Sequence, residues 1–168
     1  MNSDGTKVVV GAPLHDTGGS NIGAAYVFTY NSGTDAWTQQ EKIQASDKST
    51  LDEFGYCVSM SGDGTKIIVT SPYDDFGSLT SAGAAYIYTY NNGSWYDSGN
   101  NEQKITASDR AVSTNYGWSA AINYDGTKVI VGAKYEDTGG INHGAAYIHH
   151  YNGSSWSQRK KLSALSSA

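Results

Sequence analysis

One short motif occurs three times in this chain and limits what it can fold into. Asp4-Gly5-Thr6-Lys7 returns as Asp63-Gly64-Thr65-Lys66 and as Asp125-Gly126-Thr127-Lys128, at intervals of 59 and 62 residues. Each copy leads into an apolar run (VVVGAP, IIVTSP, VIVGAK) and a variable loop. The tetrapeptide GAAY follows, beginning at Gly23, Gly83 and Gly144, and then a tryptophan at Trp37, Trp95 and Trp156. A period of this length, built of short segments, is one small sheet made repeatedly. A sheet too small to bury its own apolar face must stack on its neighbours. The chain therefore reads as an array, and its function is sought in the loops displayed on one side.

Composition narrows the class. The 13 tyrosines, 4 tryptophans and 20 glycines, against 2 prolines, suit strands filled by aromatic and β-branched residues and turns filled by glycine and asparagine. No stretch approaches the ~18 apolar residues of a membrane helix. The formal net charge of −5 argues against nucleic acid, whose phosphates need a concentrated basic surface. The basic cluster Arg159-Lys160-Lys161 reads as a charged edge strand that discourages aggregation. Cys57 is the only cysteine and aligns with Ser119 of the next repeat; it reads as a small buried residue and permits no disulfide within one chain. Met1 aligns with Met60 and Ile122, the last apolar residue before each turn. The chain is therefore expected to be a piece of a longer array, with any targeting signal outside it.

One whole unit can be read between Phe54 and Asp109. FGYCVSM is a first strand, and the Asp-Gly of SGDGT supplies the positive φ of a tight hairpin. KIIVTS is a second strand whose apolar run predicts burial on both faces. A loop of about ten residues follows, long for a hairpin and therefore a place to look for function. AAYIYTY is a third strand, NNGS a second hairpin turn, and WYDSGNNEQKITAS a more polar fourth strand, as an outer edge should be. Four antiparallel strands with this gradient make the blade of a β-propeller, and the small residues of GAAY let neighbouring sheets converge. A β-solenoid is the competing architecture, although its coils usually run to about 20–30 residues. The expected fold is all-β, a partial propeller of about three blades: residues 1–53, lacking the first strand, then 54–115 and 116–168. Propellers close with at least about four blades. Three leave open faces and an unpaired edge at Val8–Val10, to be covered by further blades of the same polypeptide or by a second copy of the chain.

Phe54-Gly55 with its variant Tyr116-Gly117, Gly11-Ala12-Pro13 after an apolar strand, and GAAYVF from Gly23 together resemble the FG-GAP repeat. That repeat is the blade unit of the integrin alpha-subunit propeller and of many bacterial, algal and viral surface proteins. The resemblance covers the whole chain, with Thr70-Ser71-Pro72 and Gly132-Ala133-Lys134 as altered forms of the GAP element. It implies an extracellular, cell-surface or virion-surface protein engaged in adhesion, protein recognition or surface assembly; some members are appended to enzymes that act elsewhere in the chain. Integrin-type repeats that bind calcium carry a DxDxDG-like loop between the first and second strands. Here those turns read NSDGT, SGDGT and NYDGT, with one carboxylate each at Asp4, Asp63 and Asp125. Calcium takes about six to eight oxygens, so the family's calcium sites do not carry over, and each Asp is expected to brace its own turn.

The loops after the second strands hold Asp16, Asp75 and Asp137, preceded by His15, Asp74 and Glu136. A cation, calcium foremost, would be sought first at Asp74 and Asp75 and then at Asp16 and Asp137. Recurrence in every repeat favours side-chain-to-backbone turns instead. The same reading applies to Asp47, Asp52, Glu53 and Asp109 between blades. His149 and His150 are adjacent on a strand and point to opposite faces, so they form no simple metal cluster with His143. The strand aromatics, including Tyr26, Tyr86 and Tyr147, are claimed by packing. The ligand-binding candidates are the loop aromatics Tyr73, Phe76 and Tyr135. Asn92 and Asn152 head glycosylation sequons in hairpin turns. No nucleophile elbow, phosphate loop or zinc-ligand spacing is present. The expectation is a non-catalytic module without a cofactor whose loops bind a protein. The alternative is a glycan-binding module or an accessory domain of a secreted enzyme.

Overall fold

The computed structural model describes residues 1–95, 101–137 and 142–163. The fold is all-β and forms part of a propeller. Strands β1 (Lys7–Ala12), β2 (Ala24–Asn31) and β3 (Ala36–Ile43) make a first antiparallel sheet. A second contains β4 (Val58–Met60), β5 (Lys66–Ser71), β6 (Ala84–Thr89) and β7 (Glu102–Ile105). A third contains β8 (Tyr116–Ile122), β9 (Lys128–Ala133), β10 (Ala145–Tyr151) and β11 (Trp156–Ser163). Every sheet is a meander in chain order, so each short turn joins neighbours and each blade completes itself before the next begins.

Period-two alternation sends each strand's residues to two different cores. Ile67 and Val69 of β5, with Tyr86 and Tyr88 of β6, pack against Val9, Ala25, Val27 and Ile43 of the first blade. Ile68, Ala85 and Ile87 from the same two strands pack against Val129, Val131 and Tyr147 of the third. The apolar run Ile67–Val69 is wholly buried because both faces of the middle blade are covered. The equivalent runs in the outer blades are not: Val10 is 46% and Ile130 41% exposed. Cys57 is half-buried, its Sγ accepting from Ala120 N at 3.3 Å across the blade boundary. Ser119, at the same place in the third blade, faces no further sheet and is exposed.

The glycine of GAAY makes close stacking possible. Gly83 has φ of +82°, and a Cβ there would stand 2.0 Å from the Tyr116 carbonyl oxygen. Gly23 meets Phe54 of the next blade in the same way. The FG element and the GAAY element are thus two halves of one contact between consecutive blades.

Each Asp-Gly-Thr turn is braced by its own carboxylate. Asp4 Oδ1 accepts from Thr6 N at 2.9 Å, Asp63 Oδ1 from Thr65 N at 3.0 Å and Asp125 Oδ1 from Thr127 N at 3.0 Å. Hydrogen bonds from Thr6 hold the Asp4 carboxyl below its ordinary range, and those from Thr127 do the same for Asp125.

Two strand readings need correction. The first strand of the middle blade is not the whole of FGYCVSM. Gly55 N and Tyr56 N both bond to Thr70 O, at 2.9 and 3.2 Å, and this bulge delays regular pairing to Val58. The fourth strand does not begin at Trp95. That residue is fully buried against the first blade, and the strand starts at Glu102; residues 96–100 of the expected strand lie outside the described residues.

Candidate functional site

The antiparallel meander puts three features at one end of every blade: the loop after the second strand, the start of the inner strand, and the connection to the next blade. At this end the second and third blades set four aromatic rings in a row. Tyr73 packs edge-on to Tyr56 at 6.1 Å between centroids, Tyr56 lies 4.9 Å from Trp118, and Trp118 lies 6.4 Å from Tyr135. Lys134 Nζ stands 3.9 Å from the centre of the Trp118 ring and 4.6 Å from that of Tyr135. The rings come from two equivalent places, after the FG element (Tyr56, Trp118) and after the second strand (Tyr73, Tyr135). Burial raises the pKa of the Tyr56 hydroxyl, with Tyr73 adding to the effect.

Beside Tyr73 the surface dips into a depression of about 390 Å³, lined also by Thr50, Leu51, Glu53, Asp75 and Ser81. Leu51 and Glu53 have positive φ, 69° and 54°. Leu51 N bonds to Ser20 O and Glu53 N to Asn21 O, which fixes the rim to the first blade. Burial raises the Glu53 carboxyl above its ordinary pKa.

The same end carries two inter-blade ion clusters. Lys104 Nζ lies 2.7 Å from Asp47 and 2.9 Å from Asp74, and Tyr86 OH donates to both carboxylates at 2.9 and 2.7 Å. Lys161 Nζ lies 2.6 Å from Asp109 and 2.7 Å from Glu136, and Tyr147 OH donates to Asp109 at 2.9 Å. Burial works against the charge on Lys104 and on Lys161, but hydrogen bonds with Asp47 and Asp74, and with Asp109 and Glu136, outweigh it and raise both pKa values. Asp52, which accepts from Ser49 N at 2.6 Å, has no ion pair among the described residues. Burial pushes its carboxyl up to about 6.

The residues singled out in the sequence are thus divided among several jobs. Asp16, Asp75 and Asp137 each accept a backbone N–H, from Asn21, Ser81 and Asn142, at 2.8, 2.8 and 2.6 Å. Asp74 turns away from Asp75 into the Lys104 cluster. Among the described residues no group of three or more His, Cys, Asp or Glu side chains converges on one point. Tyr73 and Tyr135 belong to the aromatic row, whereas Phe76 stands apart beneath the Arg110 guanidinium, 3.9 Å from its ring centre. Asn92 and Asn152 are exposed in the hairpin turns at the opposite end, where Asn152 Oδ1 braces its own turn. His149 is buried, with Nε2 2.8 Å from Tyr116 OH.

Tyr56 and Trp118 were hidden in the sequence because they follow buried Phe54 and Tyr116 by two residues, and strict alternation would bury them as well. The bulge at the intervening glycine turns them outward. Lys104 and Lys161 were also missed, although a signal existed: Tyr26 pairs with Lys42, Tyr86 with Lys104 and Tyr147 with Lys161, at one register in all three blades. In the sequence Lys161 reads as part of the edge-strand charge run Arg159-Lys160-Lys161.

Comparison with known proteins bears on the fold. The signature described as the FG-GAP repeat matches residues 37–88 and 100–149. The crystal structure of a protein from Lactobacillus plantarum superposes on 97% of this chain with a TM-score of 0.50 at 12% sequence identity, a likeness of fold alone. The chain spans 43% of that protein's length. No curated protein matches the sequence.

Proposed function

The chain belongs to the FG-GAP repeat family, and from that premise we propose that it is a non-catalytic propeller segment whose loop end recognises another protein, in adhesion or surface assembly outside the cell or on a virion. The observation that carries this reading is the row Tyr73–Tyr56–Trp118–Tyr135 with Lys134 against it. Tyrosine and tryptophan supply large, stiff contact area at low entropic cost, and they dominate the energetic centres of protein interfaces. The row crosses a blade boundary, so its spacing is fixed by the stacking of two sheets rather than by a loose loop. The acids around it hold turns and blade boundaries, which leaves the rings as the contact surface.

A glycan is the second reading, favoured by the depression in which Tyr73 stands beside Glu53 and Asp75. The placement of Lys134 and Tyr56 over Trp118 weighs against it, because a sugar would have to displace one of them to stack on the indole. Two experiments separate the readings. A random-peptide display library panned on the intact chain should yield binders that lose at least about ten-fold in affinity to Trp118→Ala, the size expected for one interface hot spot. A glycan array probed with the same two proteins should show no signal that depends on Trp118. Glycan binding lost in Trp118→Ala, without peptide enrichment, would reverse the order.

A further inference from the structure

The connection into the second blade and the connection into the third share one backbone design but carry different side chains. Leu51 N, Glu53 N and Phe54 N each donate at 3.0 Å, to Ser20 O, Asn21 O and Ile22 O of the first blade. Ser113 N, Asn115 N and Tyr116 N donate to Thr80 O, Ser81 O and Ala82 O of the second, at 2.8, 3.1 and 3.2 Å. Leu51 and Ser113, and Glu53 and Asn115, share left-handed backbone, with φ between 50° and 69°. At the later junction two side chains complete the closure. The Thr114 hydroxyl donates to Ala82 O at 3.1 Å, with Ala111 O as a second acceptor at the same distance. Asn115 Nδ2 donates to Pro72 O at 2.9 Å.

The earlier junction has Asp52 and Glu53 at those two places, and the equivalent carbonyls are those of Ile22 and Pro13. A carboxylate can only accept, whereas a carboxyl that keeps its proton can donate. Asp52 is buried as deeply as Thr114, and Ser71 Oγ of the second blade donates to its backbone carbonyl at 2.6 Å. The cation acting on Asp52 is Lys104, already held by Asp47 and Asp74, with Tyr86 OH donating to both. Lys48 turns to Gln44, and on the first-blade loop Asp16 and His15 accept from Asn21 N and Thr17 N. Glu53 shares the depression with Tyr73 and Asp75 and acts on Tyr56; its side chain has no hydrogen-bond partner among the described residues. A buried charge without a counter-ion is costly. Burial raises both carboxyls, Asp52 to about 6.

We propose that the junction of the first and second blades is a clasp worked by protons, closed when Asp52 and Glu53 are protonated and loosened when both are ionised. In the closed form their hydroxyls donate to Ile22 O and Pro13 O, as Thr114 and Asn115 donate to Ala82 O and Pro72 O at the later junction. In the ionised form those two bonds are lost. Repulsion from Asp74 and Asp75 then eases residues 49–53 away from Ser20 and Asn21. Thr50, Leu51 and Glu53 form the rim of the Tyr73 depression, so its shape changes with pH whatever the loop end binds. Both carboxyls are raised. The closed form is therefore complete below about pH 4, the ordinary carboxyl value, and is lost as pH rises through about 6.

Amide hydrogen exchange followed by NMR on the intact chain reads the two junctions side by side. Protection factors, corrected for the intrinsic pH dependence of exchange, are compared at about pH 4.5 and about pH 7.5. At Leu51, Glu53 and Phe54 protection should fall at least about ten-fold over that interval, the factor that one unit of pKa shift supplies. At Ser113, Asn115 and Tyr116 it should change less than about two-fold. Asp52→Thr with Glu53→Asn installs the donors of the later junction and should keep protection high at both pH values. Asp52→Asn with Glu53→Gln keeps the size of both side chains, should give the same flat profile, and guards against a folding defect. Protection at the first junction that stays level or rises with pH overturns the proposal. So does a pH response of the parent's size that survives in both double variants.

Discussion

Lys104 holds two carboxylates from two blades, and its loss would leave Asp74 buried beside Asp47 without a cation. Breaking a buried pair costs about 3–5 kcal/mol. With Asp47 nearly half exposed, Lys104→Met should cost about 2 kcal/mol in urea denaturation at neutral pH. A loss under about 0.5 kcal/mol would place Lys104 among ordinary surface lysines. Two other groups titrate in opposite senses. Burial holds His149 down to about 4, below its unfolded value of about 6.5. The stability of its neutral form is therefore complete above about pH 6.5 and is lost as pH falls through about 4. Burial lifts Asp52 to about 6, so its contribution is complete below about pH 4 and fades as pH rises through about 6. Thermal melts should show His149→Phe less acid-sensitive than the parent between pH 6.5 and 4, and Asp52→Asn with less decline between pH 4 and 6. Parallel curves for parent and variants would contradict both assignments.

Gly83→Ala tests the contact between the FG and GAAY elements. Positive φ and an approach of 2.0 Å to the Tyr116 carbonyl together should cost at least about 2 kcal/mol, measured by denaturation; a neutral result would mean that the sheets part easily. The strands themselves were largely legible in the sequence. The Asp-Gly turns, the apolar run Ile67–Val69 and the small residues of GAAY each name their own geometry through local rules of turn and pleat. What stayed hidden depends on departures from those rules or on distant partners. The bulge at Gly55 reversed the facing of Tyr56. Trp95 looked like the head of an outer strand, yet it fills the core beneath the first blade. Asp74 looked like half of an acidic pair because its partner, Lys104, lies 30 residues away in sequence.

Across the whole molecule, protection from solvent depends on how many neighbours a sheet has. Amide hydrogen exchange should be slowest in β5 and β6, covered on both faces, and fastest along the outer edges β3 and β11. Equal protection in all three blades would mean that the ends are covered in solution. The two faces of a blade also differ in kind. In the first blade one presents Tyr26, Gln39 and Lys42, and the other, Val9, Ala25 and Val27, is covered by the middle blade. A contact between the first of these faces and the outer face of the third blade would join unlike surfaces head to tail, and a contact of that kind closes about a rotation axis or continues as a fibre.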